Sequence, residues 1–235
     1  MRLDLYLTNH FDIQSRNKAH EFIKANKVKV DGKVITKPSF DIDETSKIEL
    51  LEEEFYVSRA AYKLKYFLEE IKIELQNCEA LDIGSSTGGF TQILLENSVK
   101  SVTCVDVGSN QLHERIKDDK RITFFENQDI RTFKTDKSFE VVTCDVSFIS
   151  ILNILKDINN LAKDKIIILF KPQFEVGTNV KRDKKGVVKD KEAIFKAKER
   201  FIGETKLLGW SLISSLPSKL EGKDGNEEEL FYFNK

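Results

Sequence analysis

The sequence predicts a two-part α/β protein in which a Rossmann-like, largely parallel sheet follows a small N-terminal α+β domain. Short apolar runs alternate with helical patterns beyond residue 58, and a glycine-rich turn separates the first run from an amphipathic helix. An acidic segment around Leu51–Glu54, followed by a helical pattern, marks a boundary in the chain. We therefore expect an N-terminal domain over 1–50, a linker over 51–57 and a second domain over 58–235.

The N-terminal domain is predicted from one helix and one hairpin. Apolar side chains recur at helical spacing over 15–27, and Ser15 is a suitable N-cap. Two short apolar runs then flank Asp31 and Gly32, a pair that is typical of tight hairpin turns. A helix followed at once by a hairpin predicts a compact module.

Charge is segregated along this domain, although the whole chain carries a formal net charge of only −1. Residues 14–37 hold seven lysines and arginines against two carboxylates, whereas residues 38–54 hold one lysine against seven carboxylates. A basic helix beside a basic hairpin is typical of nucleic-acid binding, and an ordinary solvated helix face is the alternative. The predicted contacts are Arg2, Arg16, Lys18, His20, Lys24, Lys27, Lys29 and Lys33.

The second domain is predicted from seven strand-like runs. Strands alternating with helices indicate a largely parallel sheet, with ligands at the carboxyl ends of the strands. The runs begin near Leu81 and Ser101 and continue at 122–125, 139–145, 165–172, 210–216 and 229–234. Helical patterns occupy 57–71, 89–97, 151–162 and 190–208.

The glycine-rich turn after the first strand predicts a nucleoside site. Its glycines at 84, 88 and 89 fit neither the phosphate-binding loop, because no Gly-Lys-Ser/Thr follows, nor the dinucleotide fingerprint G-x-G-x-x-G. Asp106 ends the next strand, where a doubly wound sheet places a carboxylate against ribose hydroxyls. Together they suggest an S-adenosylmethionine site, and a helix boundary that merely contains glycines is the alternative.

The predicted cofactor contacts extend from this turn to the ends of the following strands. Asp129, after the third strand, is a candidate partner for the adenine amino group, and a surface loop acid is the alternative. The full set is Asp82, Gly84, Ser85, Ser86, Thr87, Gly88, Gly89, Phe90, Asp106, Val107, Asp129, Ile130 and Asp145.

Four further residues could carry chemistry near this edge of the sheet. Asp145 ends the fourth strand and Lys171 ends the fifth, so both should lie at the edge that holds Gly84. Lys63 lies on the helix before the first strand, and Glu228 lies just before the last strand. Each residue taken alone fits an ion-pair partner better than a catalyst.

Several classes of protein are disfavoured by composition. The longest uncharged apolar run, 166–170, is far shorter than the roughly 20 residues of a membrane helix, and the first residues contain no signal-peptide core. We therefore expect a cytoplasmic protein without a membrane partner. The three cysteines form no C-x-x-C pair and the three histidines lack ligand spacing, so we expect neither a disulfide nor a metal.

Six motifs, taken in order, resemble those of the TlyA family, and they span nearly the whole chain. The motifs are SRAAYKL, LDIGSSTGGFT, VDVG with QLH, CDVSFIS, FKPQFE and GNxE. This family joins an RNA-binding domain of the ribosomal protein S4 type to an FtsJ-like methyltransferase domain. The resemblance implies S-adenosylmethionine as cofactor, ribosomal RNA or a ribosomal subunit as partner, and methylation of a ribose 2′-hydroxyl, on cytidine by family resemblance.

The resemblance also implies a catalytic tetrad of Lys63, Asp145, Lys171 and Glu228. Three glutamates stand in a row at the last motif, and Glu228 is assigned because it lies two residues after Asn226. Which lysine accepts a proton and which orients the substrate is left open. The alternative function is a non-catalytic RNA-binding assembly factor, which would have no reason to retain the tetrad.

A second basic segment lies at 179–200, with nine lysines and arginines against four carboxylates. Its position after Lys171 suggests a loop and helix that grip RNA phosphates, and a solvated surface helix is the alternative. The predicted RNA contacts of the second domain are Arg59, Lys181 and Arg182. Some TlyA family members have been called haemolysins, but no segment here resembles a pore.

Overall fold

A computed structural model describes residues 1–11, 13, 15–43, 45–51 and 56–235. The chain divides into two compact units, Met1–Phe55 and Tyr56–Lys235. Most of the linker predicted over 51–57 lies outside the described residues, and its last two residues, 56 and 57, are buried in the second unit.

The N-terminal unit is an α+β module with an antiparallel sheet in the order β2-β1-β3. Its described residues form helices α1 (Leu3–His10) and α2 (Arg16–Lys24) and strands β1 (Val28–Val30), β2 (Lys33–Val34) and β3 (Ile48–Leu50). The Ser15 hydroxyl accepts a bond from the Lys18 amide at 3.3 Å, so the predicted N-cap is confirmed. The helix ends at Lys24, earlier than predicted, since Asn26 adopts a left-handed φ of +63°.

The predicted hairpin is confirmed, because Val30 pairs with Lys33 across the turn. Asp31 and Gly32 both have positive φ, +51° and +77°, as a tight two-residue turn requires. Helix α1 and strand β3 were not predicted. Strand β3 lies within the acidic segment, whose charged residues mask its strand pattern.

The C-terminal unit is built on a seven-stranded sheet in the order β6-β5-β4-β7-β8-β10-β9. All seven predicted strands are present. They are β4 (Glu79–Ile83), β5 (Ser101–Val105), β6 (Ile122–Phe125), β7 (Phe139–Cys144), β8 (Ala162–Phe170), β9 (Ser211–Pro217) and β10 (Glu229–Asn234). The largely parallel sheet is confirmed, with one reversed strand: β10 runs antiparallel to both β8 and β9. A connection without a helix joins β9 to β10, which is what an antiparallel pair needs.

Helices cover both faces of this sheet. They are α3 (Arg59–Ile71), α4 (Gly89–Glu96), α5 (Glu114–Lys117), α6 (Leu155–Leu161), α7 (Pro172–Glu175) and α8 (Lys191–Leu207). The helix predicted over 151–162 is split, because a 3₁₀ turn over Ile151–Asn153 precedes α6.

Side chains along the central strands alternate between two apolar cores. On β8, Ile166 and Ile168 belong to one core, whereas Ile167 and Leu169 belong to the other. A central strand that is buried on both faces reads as one continuous apolar run, which is how β8 appears in the sequence. Because the apolar register is fixed on both faces, the ends of β7 and β8 are held in place relative to each other.

Two of the cysteines, Cys104 and Cys144, are buried in strands as expected, and burial raises the pKa of both thiols. Among the described residues, no helix is both long and apolar enough to cross a membrane.

Candidate active site

The glycine-rich turn leaves the carboxyl end of β4 and enters α4. Gly84 has a φ of +77°, and a Cβ at this position would lie 2.6 Å from the Asp145 carbonyl oxygen. Gly88 is the N-cap of α4 with a φ of +90°, and a Cβ there would lie 2.2 Å from Cδ1 of Ile116. The turn therefore needs glycine for close packing as well as for its backbone conformation.

A cavity of about 330 Å³ opens beside this turn, at the carboxyl ends of β4, β5 and β7. Its volume lies within the range of small-molecule sites. Apolar walls come from Ile83, Val105, Val107, Ile130, Val146, Ile149 and Ile154. Polar groups come from Ser86, Asp106, Gln111, Gln128, Asp129, Asp145 and Ser147.

Asp106 is a carboxylate of the cavity wall that backbone amides hold in a fixed orientation. Its two carboxylate oxygens accept bonds from the backbone amides of Ser86, at 2.8 Å, and Gly108, at 2.7 Å. A carboxylate has about four acceptor positions, so the fixed Asp106 retains capacity for ribose hydroxyls. The apolar walls beside it suit a flat base.

Asp129 lines the cavity but is already paired. Its carboxylate accepts bonds from the Arg131 guanidinium, with Nη2 to Oδ2 at 2.5 Å, and from the Arg131 amide. These bonds hold the pKa of Asp129 below its ordinary value. The carboxylate therefore stays ionised, and Arg131 occupies most of its acceptor positions.

Asp82 has a different position from the one predicted. Its carboxylate is fully buried and accepts bonds from the hydroxyls of Thr91, at 2.6 Å, and Thr143, at 2.9 Å. Burial raises its pKa to about 6, against the lowering effect of the two threonine bonds. Asp82 therefore ties β4 to β7 and α4 rather than lining the cavity.

The predicted cofactor contacts fall into two groups in the structure. Those that line the described cavity are Gly84, Ser86, Asp106, Val107, Asp129, Ile130 and Asp145. Those that do not are Asp82, Ser85, Thr87, Gly88, Gly89 and Phe90. The missing side chains of Gly88 and Gly89 make room for protein atoms, Ile116 and the Ser58 hydroxyl respectively. Gln111, Gln128 and Ser147 line the cavity without having been predicted, since amide and hydroxyl side chains in a loop give little sequence signal.

Lys171 lies at the end of β8 and reaches the predicted partner on β7. Its Nζ lies 2.5 Å from Oδ1 of Asp145 and donates to the Ser147 hydroxyl at 2.9 Å. Neighbouring parallel strands end at the same edge of the sheet, so both residues lie there. The register pairs Cys144 with Ile168. The long Lys171 side chain reaches back from beyond this pair to Asp145. The Lys171 amine is thus held next to a residue of the cavity wall.

Lys63 and Glu228 form a second ion pair, in which the Lys63 ammonium donates to Oε2 of Glu228. Both side chains are less than 10% exposed. Of the three adjacent glutamates, Glu227 is exposed and Glu229 pairs with Lys198. Glu228 is therefore the glutamate of this run that meets Lys63. The four predicted residues lie in two matched pairs.

Phe148 is a further residue at this edge that residue-by-residue prediction missed. Its side chain is 92% exposed, although it lines the cavity, and its φ of +66° is unusual for a bulky residue. Its ring lies 5.4 Å from the ring of Phe174. The signal was available, because an aromatic residue within a loop at the carboxyl edge of a sheet is placed to meet a ligand.

The predicted basic face of the N-terminal unit is built around a buried acid. Asp4 has no exposed surface and lies 2.8 Å from the nearest side-chain nitrogen of each of Arg2, Arg16 and His20. Bonds from Arg2, then Arg16 and His20, hold the pKa of Asp4 well below its ordinary value.

The other predicted contacts of this face are lysines. Lys18 pairs with Glu21 at 3.0 Å, Lys27 lies over the ring of Phe22, and Lys24 and Lys33 are exposed. Lys29 is half-buried on β1. The face is thus a set of cations at the surface, several of which already hold a partner within the unit.

In the C-terminal unit, the two predicted arginine contacts have structural partners. Arg59 donates to the Glu221 carbonyl at 3.0 Å. Arg182 donates to three carbonyl groups, those of Gln173, Gly177 and Val180. Lys181 is exposed. Arg182 therefore stabilises the loop in which it lies, and this structural role explains the residue without an RNA contact.

The sheet order, the glycine turn and the acid at the end of β5 define a Rossmann-like methyltransferase. Solved structures at low identity support this fold. One, described as a candidate S-adenosylmethionine-dependent methyltransferase from Listeria monocytogenes, has a TM-score of 0.57 and 14% identity and covers 75% of this chain and 99% of that chain. An FtsJ-like methyltransferase family model matches residues 56–235, and an S4 domain model matches residues 1–48. The chain belongs to the TlyA family of FtsJ-like methyltransferases.

Relatives match the whole chain. It is 48% identical to the 23S rRNA (cytidine-2′-O)-methyltransferase TlyA of Campylobacter jejuni, over all of both chains. It is 35% identical to hemolysin A of Brachyspira hyodysenteriae, over 99% of both. A structure described as a candidate hemolysin from Streptococcus thermophilus superposes with a TM-score of 0.74 and 30% identity, covering 100% of this chain and 88% of that chain.

The cofactor of this family, S-adenosylmethionine, fits the residues that are present. The fixed Asp106 carboxylate would hold the ribose hydroxyls, Asp129 lies at the wall as the candidate partner of the adenine amino group, and the walls between them are apolar. The Gly84 backbone approaches Asp145 so closely that any side chain would intrude at the cavity wall.

Proposed function

We propose that this protein transfers the methyl group of S-adenosylmethionine to the 2′-hydroxyl of a cytidine in ribosomal RNA. The observation that carries the proposal is the amine of Lys171, held between Asp145 and Ser147, two residues of the cavity wall. The 48% identical Campylobacter relative carries this activity in its name, and supports the choice of cytidine and of ribosomal RNA.

Lys171 is the proton acceptor in this proposal. When bound, S-adenosylmethionine supplies a methyl group activated by its sulfonium. A ribose hydroxyl is a weak nucleophile and must lose its proton as its oxygen attacks. Lys171 accepts that proton in this proposal, which requires that its amine has first released its own proton from the ion pair with Asp145. Asp145 then lies beside the lysine ammonium that results, and Ser147 fixes the direction of the Nζ atom.

Lys63 and Glu228 have a positioning role in this proposal. Their charges balance inside the protein, because each side chain is nearly enclosed and the two are in direct contact. Between the two lysines, the contact with cavity-lining residues favours Lys171 as the acceptor.

Phe148 is proposed to hold the base of the target nucleotide. An almost fully exposed phenylalanine is costly to maintain, and so is a bulky residue at positive φ. Both features are explained if the ring offers a stacking face to an unpaired base, since base–aromatic stacking contributes about 1–3 kcal/mol per base.

The N-terminal unit is proposed to bind the phosphates of the same RNA. Arg2, Arg16 and His20 outnumber the one carboxylate that they share, and Lys24 and Lys33 add exposed positive charge. Phosphate contacts position a nucleic acid without reading its sequence, which fits a binding module apart from the chemistry. An enzyme of ribosomal RNA acts where ribosomes are assembled, so we place the protein in the cytoplasm.

The proposal is tested by locating the methyl group. Ribosomal subunits from cells that lack this protein are incubated with it and with isotopically labelled S-adenosylmethionine, and the digested RNA is examined by mass spectrometry. We expect the label on the ribose of one or a few cytidines. A label on a base would contradict the proposed reaction, and binding without transfer would favour the non-catalytic assembly factor.

A further inference from the structure

Glu175 is a buried carboxylate that the proposed mechanism does not use. The residue is 2% exposed and stands at the end of helix α7, four residues after Lys171. Its two oxygens accept different bonds: Oε2 from the Ser150 hydroxyl at 2.7 Å, and Oε1 from the Ile151 amide at 2.9 Å. Glu175 therefore holds the far end of the loop that leaves β7.

This bond is the last of three successive contacts between two segments of the active site. Lys171 contacts Asp145 and Ser147 at one end, and the ring of Phe174 meets the ring of Phe148 in the middle. At the other end, Glu175 bonds to residues 150 and 151. The loop 145–151 is thus clamped along its length by the segment 171–175.

The partners of the Glu175 carboxylate distinguish it from an ordinary buried ion. Buried carboxylates are usually paired with a cation, yet no ion pair to this carboxylate is found among the described residues. Arg200 lies nearby, but its guanidinium donates to the backbone carbonyl of Glu175 at 2.7 Å. Burial raises the pKa of Glu175, which shows that the charged carboxylate is disfavoured at this position. The two bonds to the loop offset part of this cost.

We propose that Glu175 is a positioning residue that fixes Ser147 and Phe148 relative to the Lys171 amine. It touches neither the cavity nor the reacting atoms, and it acts through the loop. The proposal rests on the proposed function of Lys171 and Phe148. Its consequence is that loss of Glu175 lowers the rate of transfer more than it weakens the binding of S-adenosylmethionine, because the Asp106 carboxylate is held by separate bonds from Ser86 and Gly108.

The first test compares two substitutions in the full-length protein. Glu175→Ala removes both bonds, whereas Glu175→Gln keeps an acceptor for the Ile151 amide and gains a donor for the Ser150 hydroxyl. A displacement of about 1 Å in a site can cost on the order of 100-fold in rate. We expect Glu175→Ala to lower kcat at saturating RNA at least ~10-fold, and Glu175→Gln to remain within about threefold of the wild type. The Kd of S-adenosylmethionine, measured by calorimetry, should rise by a smaller factor than kcat falls in Glu175→Ala.

A destabilised control separates positioning from general loss of stability. Phe201→Leu opens the core beneath α8 without removing either bond to the loop, and a melting curve shows whether its stability falls as far as that of Glu175→Ala. The control should keep its kcat at a temperature where both variants are folded. Equal kcat losses in the control and in Glu175→Ala would overturn the proposal, and so would an unchanged kcat in Glu175→Ala.

A second measurement does not depend on the reaction. The chain has one tryptophan, so Trp210→Phe with Phe148→Trp places a single fluorescent reporter on the loop. Glu175→Ala in this background should lower the fluorescence anisotropy of the reporter, because the loop gains local motion, and Glu175→Gln should restore it. An unchanged anisotropy would overturn the positioning role of Glu175, whether the methyl group is found on the ribose or on the base. A lowered anisotropy, together with methylation mapped to the ribose, upholds both the role of Glu175 and the proposed function.

Discussion

The two units of this protein arrange lysines, arginines and carboxylates in opposite ways. In the N-terminal unit one fully buried carboxylate, that of Asp4, accepts bonds from Arg2, Arg16 and His20, whose side chains remain 36–51% exposed. In the C-terminal unit each site lysine has its own carboxylate. The members of those two pairs, Lys171 with Asp145 and Lys63 with Glu228, are at most 15% exposed.

The difference shows what each arrangement can do. An excess of exposed cations on one anchor produces a fixed positive surface, which attracts a polyanion and is weakened by salt. Balanced and enclosed pairs produce little field outside the protein. They instead hold an amine in a set direction, which is what proton transfer requires. We therefore infer that binding and chemistry are assigned to different units of the chain.

The largest effect is expected from breaking a balanced pair. Lys171→Ala removes the proposed proton acceptor, and loss of such a group costs roughly 10²–10⁴-fold in rate. Single-turnover transfer at saturating RNA measures the loss, and calorimetry should show unchanged binding of S-adenosylmethionine. Lys198→Ala is the matched control, because Lys198 also pairs with a carboxylate, that of Glu229 at the start of β10. Rates near that of the wild type in Lys171→Ala would move the acceptor role to Lys63.

The second effect is expected from the shared carboxylate. Asp4→Asn makes the N-terminal unit more positive, yet it releases Arg2 and Arg16 from their fixed positions. We expect RNA affinity to fall about tenfold, or roughly 1.4 kcal/mol, with a smaller salt dependence of binding. Glu21→Gln removes an equal charge from an exposed partner of Lys18 and should not weaken binding. If Asp4→Asn binds RNA more tightly, the net charge of the N-terminal unit matters more for RNA affinity than the fixed positions of Arg2 and Arg16. The contrast drawn between the two units would then be wrong.

Two buried aspartates should respond to pH with opposite signs. The lowered pKa of Asp4 stabilises the N-terminal unit above about pH 4, and this contribution is lost as the pH falls. The pKa of Asp82 is raised to about 6, so its contribution is complete below about pH 4 and is lost as the pH rises through 6.

Urea unfolding followed by the fluorescence of Trp210 reports on the C-terminal unit, which contains the only tryptophan of the chain. Between pH 4 and 7 the unfolding free energy of the wild type should fall by about 3 kcal/mol relative to Asp82→Asn, which has no carboxyl group to titrate. Parallel pH profiles in the two proteins would show that Asp82 is ionised without cost.

Much of the site at the carboxyl edge of the sheet could be predicted from sequence, because residues that end parallel strands lie at the same edge. Asp145 and Lys171 each end a run that reads as a strand of a parallel sheet, so the sequence places both at the same edge, where the structure shows them in contact. Gly84 and Asp106 follow by the same reasoning. The family resemblance placed Lys63 and Glu228 in one set of four residues, but their direct pairing, which spans 165 positions of chain, was not predicted.

Other features depend on tertiary contacts that no local pattern carries. The alternating leucines at positions 3, 5 and 7 fit a strand, yet helix α1 forms. Its first turn contains Asp4, whose partners include Arg16 and His20 on α2. The glycine at position 88 was interpreted as space for a ligand, whereas it is space for Ile116, a residue 28 positions downstream.

The identity of the accepting atom tests the account most directly. The nucleotide mapped on ribosomal RNA is replaced by its 2′-deoxy analogue in an otherwise identical RNA, which removes only the proposed nucleophile. Phosphate contacts are kept, so the RNA should bind with little change in affinity while methyl transfer from labelled S-adenosylmethionine disappears. Continued methylation of the deoxy substrate at the same nucleotide would place the methyl group on the base and contradict the role given to Lys171.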